Sequence, residues 1–555
     1  MAVIDLYSGI GGWTLGFKMA GVEVLSSYEW WKDANLTHNK NFGSEHSERN
    51  IRTLSLSDLP DPELISFVVG SPPCTQFSLA NRGGKGDIQD GLVDIQKFLE
   101  VVEYLNPRYW AMENVPRVAG ILKKEIAKGG SLERFAPLFG DIRIYKASDF
   151  GVPQDRKRMI AGRFPFDLFE SYSSRIPKVN LGDVIAALNL NPIEDPIYNI
   201  QLEPALVTDH ILEPNLSVEE ERINRESKTH HPVYNKMNFP DRLDRPSRTV
   251  TALCTRVSRE SIIIEDSKKN IRRLTLRERG SIQSFPINYQ FFSKNYSGKI
   301  KMIGNAVPPL LTFYIAQSMQ GICLSDLTLA KDVHPDRLSL GNELAISHKP
   351  DNEGAKFSKS RSFRLAIPGL RFGSGVRFEL KNVFDNSSKE VKWQVSFFYG
   401  SSKNIKAHKM DYEAFKNTLA VLDLNHHESL LELISEYIMF TKTLNSVNLQ
   451  RNWSNLDRSL MGPIELVDKF AEYARIFIGS IKDDEPLWKE VYKFIDADLK
   501  NEEGKLENKK LLDNSVEVFT GILLGSGFNS MIANDSVDKI STINLPTLQN
   551  NHLYC

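Results

Sequence analysis

The stretch "AVIDLYSGIGGWTLGFKMAGVEVLSSYEW", residues 2–30, passes from an apolar run through a glycine-rich turn into helical spacing and back to a second apolar run. Ala2–Leu6 reads as a buried strand and "WTLGFKMAG" as a helix. Gly9, Gly11 and Gly12 allow the tight turn between them and a close approach of backbone to ligand. The pattern repeats. "LISFVVGSPP" and "RYWAMENVP" are further strand-then-turn segments, with the helical "DIQKFLEVVEYL" between them. Alternating strand and helix imply an α/β fold with a parallel sheet, whose ligands gather at the C-terminal strand ends. All the unusual residues of positions 1–165 fall at those ends.

The 555 residues are 41% hydrophobic and 25% charged, enough for several domains with buried cores. A net charge of -1 and a pI near 6.9 give no global basic excess, although local clusters can still bind phosphate. The four cysteines, Cys74, Cys254, Cys323 and Cys555, follow no disulfide or metal-ligand spacing, so no metal is expected and a reducing, cytoplasmic compartment is. With no signal peptide and no run of ~20 apolar residues, a soluble protein with no membrane partner is expected. Residues 166–270 are polar and proline-punctuated, and regular structure returns over 271–325. Residues 326–362 read as a linker, and 363–555 as a separate α+β or mostly helical domain.

Five further segments carry chemistry. "VVGSPPCTQFS" places Cys74 behind Pro72-Pro73, a stiffened turn that suits a nucleophile better than a packing thiol. "SYEWW" ends the second strand with Glu29, placed to accept ribose hydroxyls, and Trp30, able to stack on an adenine; a surface pair is the plainer reading. Glu113 and Asn114 follow the strand Tyr109–Met112, where an enclosed carboxyl can donate to a ring nitrogen. "DFGVPQDRKRMIAG" sets Arg156 and Arg158 just before an apolar strand, their alternation suggesting a common polar target. "MIGNAVPP" caps a proline-started helix.

Taken in order, "DLYSGIGG", "SYEWW", "GSPPCTQFS", "MENV", "GVPQDRKR", "RRLTLRERGSIQSFP" and "IGNAVPP" resemble the C5-cytosine DNA methyltransferase family over about residues 1–320. The resemblance implies a Rossmann-like sheet that binds S-adenosyl-L-methionine, with a small target-recognition domain over 166–270. It implies methyl transfer to C5 of a flipped-out cytosine in a specific double-stranded DNA sequence. Cys74 matches the nucleophile that adds to C6, Glu113 the glutamate that engages N3 and the exocyclic amine, and Asn114 a residue that holds the loop. Arg158 matches the arginine on the base O2, and Arg156 a nearby active-site arginine. For the cofactor the family pattern points to Tyr7, Gly9, Gly11, Glu29, Trp30, Leu92, Asn305 and Val307. Asn50-Ile51 stands where the family often has Asp-Ile. Thr75 follows the cysteine where the family often has Gln, and Gln76 comes next. Ser78, Arg256, Arg259 and Arg272 are expected toward DNA, beside Lys268, Lys269 and Arg273. In family context a cognate restriction or defence protein is a further partner.

Two alternatives stay open. One is an RNA methyltransferase of the same fold, whose tRNA branch typically carries a Cys-Phe-Thr string that is not found here. The other is a bifunctional methyltransferase–endonuclease, suggested by Glu379 and Lys381 in an E-x-K pattern with Asp351 or Glu353 upstream. Short E-x-K strings are common, and His426-His427 read as a polar helix start. An accessory domain for DNA or protein contact is the expectation for the tail.

Overall fold

The computed structural model describes residues 1–74, 76–77, 87–229, 237–351, 356–372, 375–385, 387–401, 404–424, 426–500, 506 and 508–532. The chain divides into two units, Met1–Leu216 with Asn238–Asp351, and Ser217–Met237 with Asn352–Cys555.

In the first unit β1 (Ala2–Leu6), β2 (Glu23–Tyr28), β3 (Ile65–Gly70), β4 (Tyr109–Asn114), β5 (Asp141–Lys146) and β6 (Lys157–Arg163) form one sheet in the order β2-β1-β3-β4-β6-β5. β1 pairs in parallel with β2 and β3, and β3 with β4. β6 is antiparallel to both β4 and β5, so the sheet is mixed, parallel except at β6. The reason is length: about ten residues join β5 to β6, fewer than a parallel crossover needs. Helices α1 (Gly12–Met19), α2 (Lys32–Phe42), α3 (Ile88–Leu105) and α4 (Arg117–Glu125) alternate with the first strands. Strand residues divide by parity between two cores. Val3, Phe67 and Val69 join Trp13 and Phe17, whereas Ile4, Val68 and Met112 join Phe98 and Val102. Burial on both faces is why these strands read as unbroken apolar runs.

The chain continues through α5 (Phe166–Tyr172), α6 (Leu181–Leu188) and the short ribbon of β7 (Ile193–Glu194) and β8 (Gln201–Leu202). After α7 (Val218–Thr229), which belongs to the second unit, comes the ribbon of β9 (Ile263–Glu265) and β10 (Ile271–Arg273). Then follow α8 (Leu276–Ile282), α9 (Tyr296–Asn305) and α10 (Pro309–Gln320). Residues 166–270 do not form a body of their own. Ile185, Ile193, Tyr198, Val250, Ile262 and Ile264 share one core with Phe17 and Leu310, and only 217–237 departs. Residues 326–351 are not a free linker either. Leu327, Val333, Leu338 and Ala345 are buried, and Gly341 N–H donates to the Asn41 carbonyl at 2.8 Å.

The second unit is α+β. β11 (Arg364–Arg371), β12 (Arg377–Phe384), β13 (Val391–Ser401) and β14 (Asn404–His408) form an antiparallel meander. Its helices are α11 (Tyr412–Val421), α12 (Glu428–Lys442), α13 (Ser446–Trp453), α14 (Pro463–Lys482), α15 (Glu485–Asp498), α16 (Lys510–Asp513) and α17 (Ser515–Ile532). α14 packs on β11 and α17 on β13, over a buried face that includes Phe378, Leu380, Val395 and Phe397. α7 also packs on β11 and ties to α14 through Arg222–Asp468 at 2.7 Å. Among the described residues no helix is long and apolar enough to cross a membrane.

Candidate active site

β1 lies between β2 and β3, so the chain leaves it first to one side and then to the other. A crevice outside the strand ends forms at such a switch point. Around it stand Tyr7–Gly11 after β1, Glu29 after β2, Cys74 beyond β3 and Glu113 near the end of β4. Because β6 runs backwards, its first residues reach the same rim: Glu113 pairs with Ile160 and Asn114 with Met159 across the ladder, leaving Arg158 one step beyond.

Cys74 is half-buried and opens a turn in which its carbonyl accepts from Phe77 N–H at 3.0 Å. Asn114 fixes the turn from β4, its Nδ2 donating to the Pro72 carbonyl at 3.0 Å. Arg158 Nε donates to Glu113 Oε1 at 2.6 Å, with both side chains nearly excluded from water. These groups feel one another. Burial pushes the Cys74 thiol above its ordinary range and Glu113 adds to the rise, while Arg158 and Arg156 oppose it. At neutral pH the thiol is therefore protonated.

Arg156 and Arg158 part company despite their shared parity. Arg156 is buried, its Nη1 donating to the Val250 carbonyl at 3.1 Å and its Nη2 to the Gly304 and Ala306 carbonyls at 2.9 and 3.2 Å. Burial first, then Arg158, brings it down to about 9. It clamps the returning C-terminal segments to the rim, where a common polar target was expected. A pair the sequence reading passed over does the same: Gln154 Nε2 donates to Gln283 Oε1 at 2.9 Å, and Gln283 Nε2 to the Ile303 carbonyl at 2.7 Å. Both glutamines lie inside motif segments, which was the only signal available.

The crevice beside β1 has the chemistry that a nucleoside cofactor requires. A Cβ at Gly9 (φ +55) meets nothing within 4 Å, so the backbone there borders open space. Glu29 is buried and accepts from the N–H groups of Gly9 at 2.8 Å, Trp30 at 2.8 Å and Trp31 at 2.6 Å. A carboxylate has about four acceptor sites, so one remains for a hydroxyl. Trp30, 63% exposed, offers an indole face next to it. Gly11 (φ +83) faces inward instead, where a Cβ would lie 2.4 Å from the Phe42 ring. Ile51, Leu92 and Val307 are buried, and Asn50 and Asn305 are exposed. Tyr7 OH donates to the Asp94 carbonyl at 3.1 Å.

Asp94 leads to a network that sequence spacing could not reveal. Arg52, next to Ile51, binds Asp94 through Nε at 2.9 Å and Nη2 at 2.7 Å, and Asp90 through Nη1 at 2.8 Å. Asp90 accepts in turn from Gln76 Nε2 at 3.0 Å. Tyr7, Asp94, Arg52, Asp90 and Gln76 thus link the crevice to the Cys74 turn.

Three arginines expected toward DNA are structural in this conformation. Arg256 is buried and donates to the Pro214 and Asn215 carbonyls at 3.1 and 2.6 Å. Arg272 is held by Glu278 through Nη1 at 2.9 Å and Nη2 at 2.8 Å, and Arg273 by Glu213 at 2.9 Å. Arg259 is half-buried, Lys268 and Lys269 are exposed, and Thr75 and Ser78 lie outside the described residues. In the second unit both Glu379 oxygens are taken by arginines, Arg364 and Arg377, each at 2.5 Å. Asp351 lies 3.4 Å from Arg273, and Glu353 is outside the described residues. His426 pairs with Asp423 at 2.8 Å. Among the described residues no group of three or more His, Cys, Asp or Glu is placed to hold a metal ion.

Reactive groups held at the switch point of a doubly wound sheet mark the nucleotide-handling α/β enzymes. The family model for C-5 cytosine-specific DNA methylase matches residues 1–321, more than half of the chain, and the chain belongs to that family. It is 30% identical over 342 residues to the type II methyltransferase M.MthTI of Methanothermobacter thermautotrophicus, a match covering 58% of this chain and 97% of the relative. It is 29% identical over 357 residues to the type II methyltransferase M1.HphI of Haemophilus parahaemolyticus, covering 58% and 86%. A solved structure of a putative DNA modification methyltransferase encoded within an E. coli prophage is similar over 58% of this chain and 99% of that one, at 21% identity and a TM-score of 0.41. The enzyme is a DNA cytosine-5 methyltransferase.

Proposed function

We propose that the chain transfers a methyl group from S-adenosyl-L-methionine to C5 of a cytosine flipped out of a specific duplex sequence, by way of a covalent Cys74–C6 bond. What supports this is the meeting of Cys74 with the Glu113–Arg158 pair at the rim. The thiol gives its proton to a base, the sulfur adds to C6 and the C5–C6 electron pair moves toward C5 and N3. Glu113, oriented by Arg158, accepts from the exocyclic amine and, in its protonated form, donates to N3, where the negative charge grows. Arg158 also serves the base O2. Asn114 keeps the thiol at bonding geometry through Pro72. After transfer the C5 proton leaves to a base and the C6–S bond breaks, restoring the thiolate.

Glu29 would hold the ribose hydroxyls and Trp30 the adenine of the cofactor. Gly9, Asn50 and Ile51 would border it, with Tyr7, Leu92, Asn305 and Val307 closing the site and Gly11 shaping its floor. When bound, the cofactor supplies an electrophilic methyl group. Extruding the base costs a few kcal/mol, which contacts to the duplex must offset. The relatives' names place them in restriction–modification, and we assign the same setting here. The test uses tritiated cofactor, unmethylated duplex DNA, tRNA and the Cys74→Ser variant. Label in DNA cytosine C5 that is lost in the variant is expected, and label in tRNA alone overturns the substrate.

A further inference from the structure

Charge is unevenly distributed in the second unit. Residues 352–410 contain twelve Lys and Arg against four Asp and Glu, whereas 411–555 contain fourteen against twenty-three. Five lysines of the helical half are in ion pairs: Lys469–Glu472, Lys482–Glu517, Lys489–Glu485, Lys493–Glu490 and Lys500–Asp496. In the sheet half Lys409 pairs with Asp411 at 2.5 Å, but the described lysines around one cavity do not pair. A cavity of about 1340 Å³ is lined by Lys359, Lys389 and Lys392 from that half, with Lys442 at the end of α12 and Arg451 on α13. All five are exposed. Among the described residues Glu390 is the only acidic one in the lining. Among the described residues none of the four lysines has an ion-pair partner, and Arg451 has Asp457 at 3.3 Å.

Unpaired cations around one concavity repel one another, and an anion that enters it relieves the repulsion. The cavity exceeds the ~300–1,000 Å³ usual for a small ligand, and its cations come from two loops, β13, α12 and α13. That spacing suits a polymer with repeated charges. We propose that this basic cavity binds the phosphate backbone of the duplex DNA on which the first unit acts, making the second unit a DNA-holding body. The inference takes the identity of the polyanion from the methyltransferase reading. The chain passes between the units at 216/217, 237/238 and 351/352, which keeps the cavity tethered to the catalytic unit.

The test is anisotropy of a labelled duplex with the full chain, read as Kd against KCl concentration. Each lost phosphate contact lowers the slope of log K on log salt by about 0.9. Lys389→Ala/Lys392→Ala/Lys442→Ala is expected to lower it by about two to three and to weaken binding tenfold or more at 0.1 M salt. Methyl transfer at saturating DNA should be unchanged. Lys489→Ala/Lys493→Ala, which removes paired lysines, should leave the slope as it is. A triple variant with the parent's slope and Kd overturns the proposal. A slope change with tRNA and none with duplex overturns DNA as the ligand. Binding is read without turnover, so a chain that binds as expected but transfers no methyl group would sink the catalytic reading alone.

Discussion

Cys74 and Glu113 show how much one residue's surroundings decide. Both stood out in the sequence, because each sits where a strand hands over to a turn. The direction of the thiol's shift did not, since it depends on burial and on charges brought in from β4 and β6. With the thiol's pKa raised, the thiolate fraction grows about tenfold per pH unit up to that value. Alkylation of Cys74 by iodoacetamide, followed by peptide mass spectrometry, should therefore climb from pH 7 to pH 9 without levelling. Arg158→Gln removes a cation that opposes the rise and should slow alkylation at every pH in that range; faster alkylation in the variant would contradict the assignment. Arg272 teaches the reverse lesson. As one of a basic cluster it read as a DNA contact, yet Glu278 holds it in a bidentate pair. Sequence shows the charge and hides the partner, and for Arg273 that partner, Glu213, is 60 positions away.

At the scale of elements, the periodicity located β1 to β4 and their helices well, because burial on both faces leaves long apolar runs. The direction of β6 was missed, although the short connection before it contains the reason. Without that reversal Arg158 would begin its strand at the opposite rim and could not meet Glu113. The glycine turn after β1 likewise does more than its local pattern reveals. A Cβ at Gly12 would lie 2.2 Å from the Val307 carbonyl oxygen, so the segment before α10 can dock only on a bare backbone. Gly12→Ala should cost about 1–3 kcal/mol, the usual penalty for overpacking, and lower the urea midpoint while Gly43→Ala, with open space around it, loses only what its left-handed φ imposes. Equal losses at both positions would show that the close approach is unimportant.

Over the whole molecule, the boundaries were the least legible feature. Polar composition suggested a linker at 326–362 and a recognition region at 166–270, because composition does not report which surface a segment lies on. A few well-spaced apolar residues, such as Leu327, Val333 and Leu338, were enough to bind the first of these to the first unit. α7 had the opposite fate. Its partners in the second unit lie on β11 and α14, far beyond it in sequence. Removing residues 352–555 should therefore leave Arg222, Arg225 and Lys228 open to trypsin while the rest of the first unit resists. A truncated chain as protected there as the full one would contradict the division.

α7 also sets a timetable for synthesis. Roughly 145 residues separate Val218 from Arg364 on β11, and at about 5–20 residues per second the ribosome needs about 7 to 30 s to supply that strand. A twelve-residue helix is marginal in water by itself, so for that interval the segment emerges without a fold. "VEEERINRESKT" is well suited to the wait, since its acidic start and scattered cations keep it hydrated and give a chaperone little to grip.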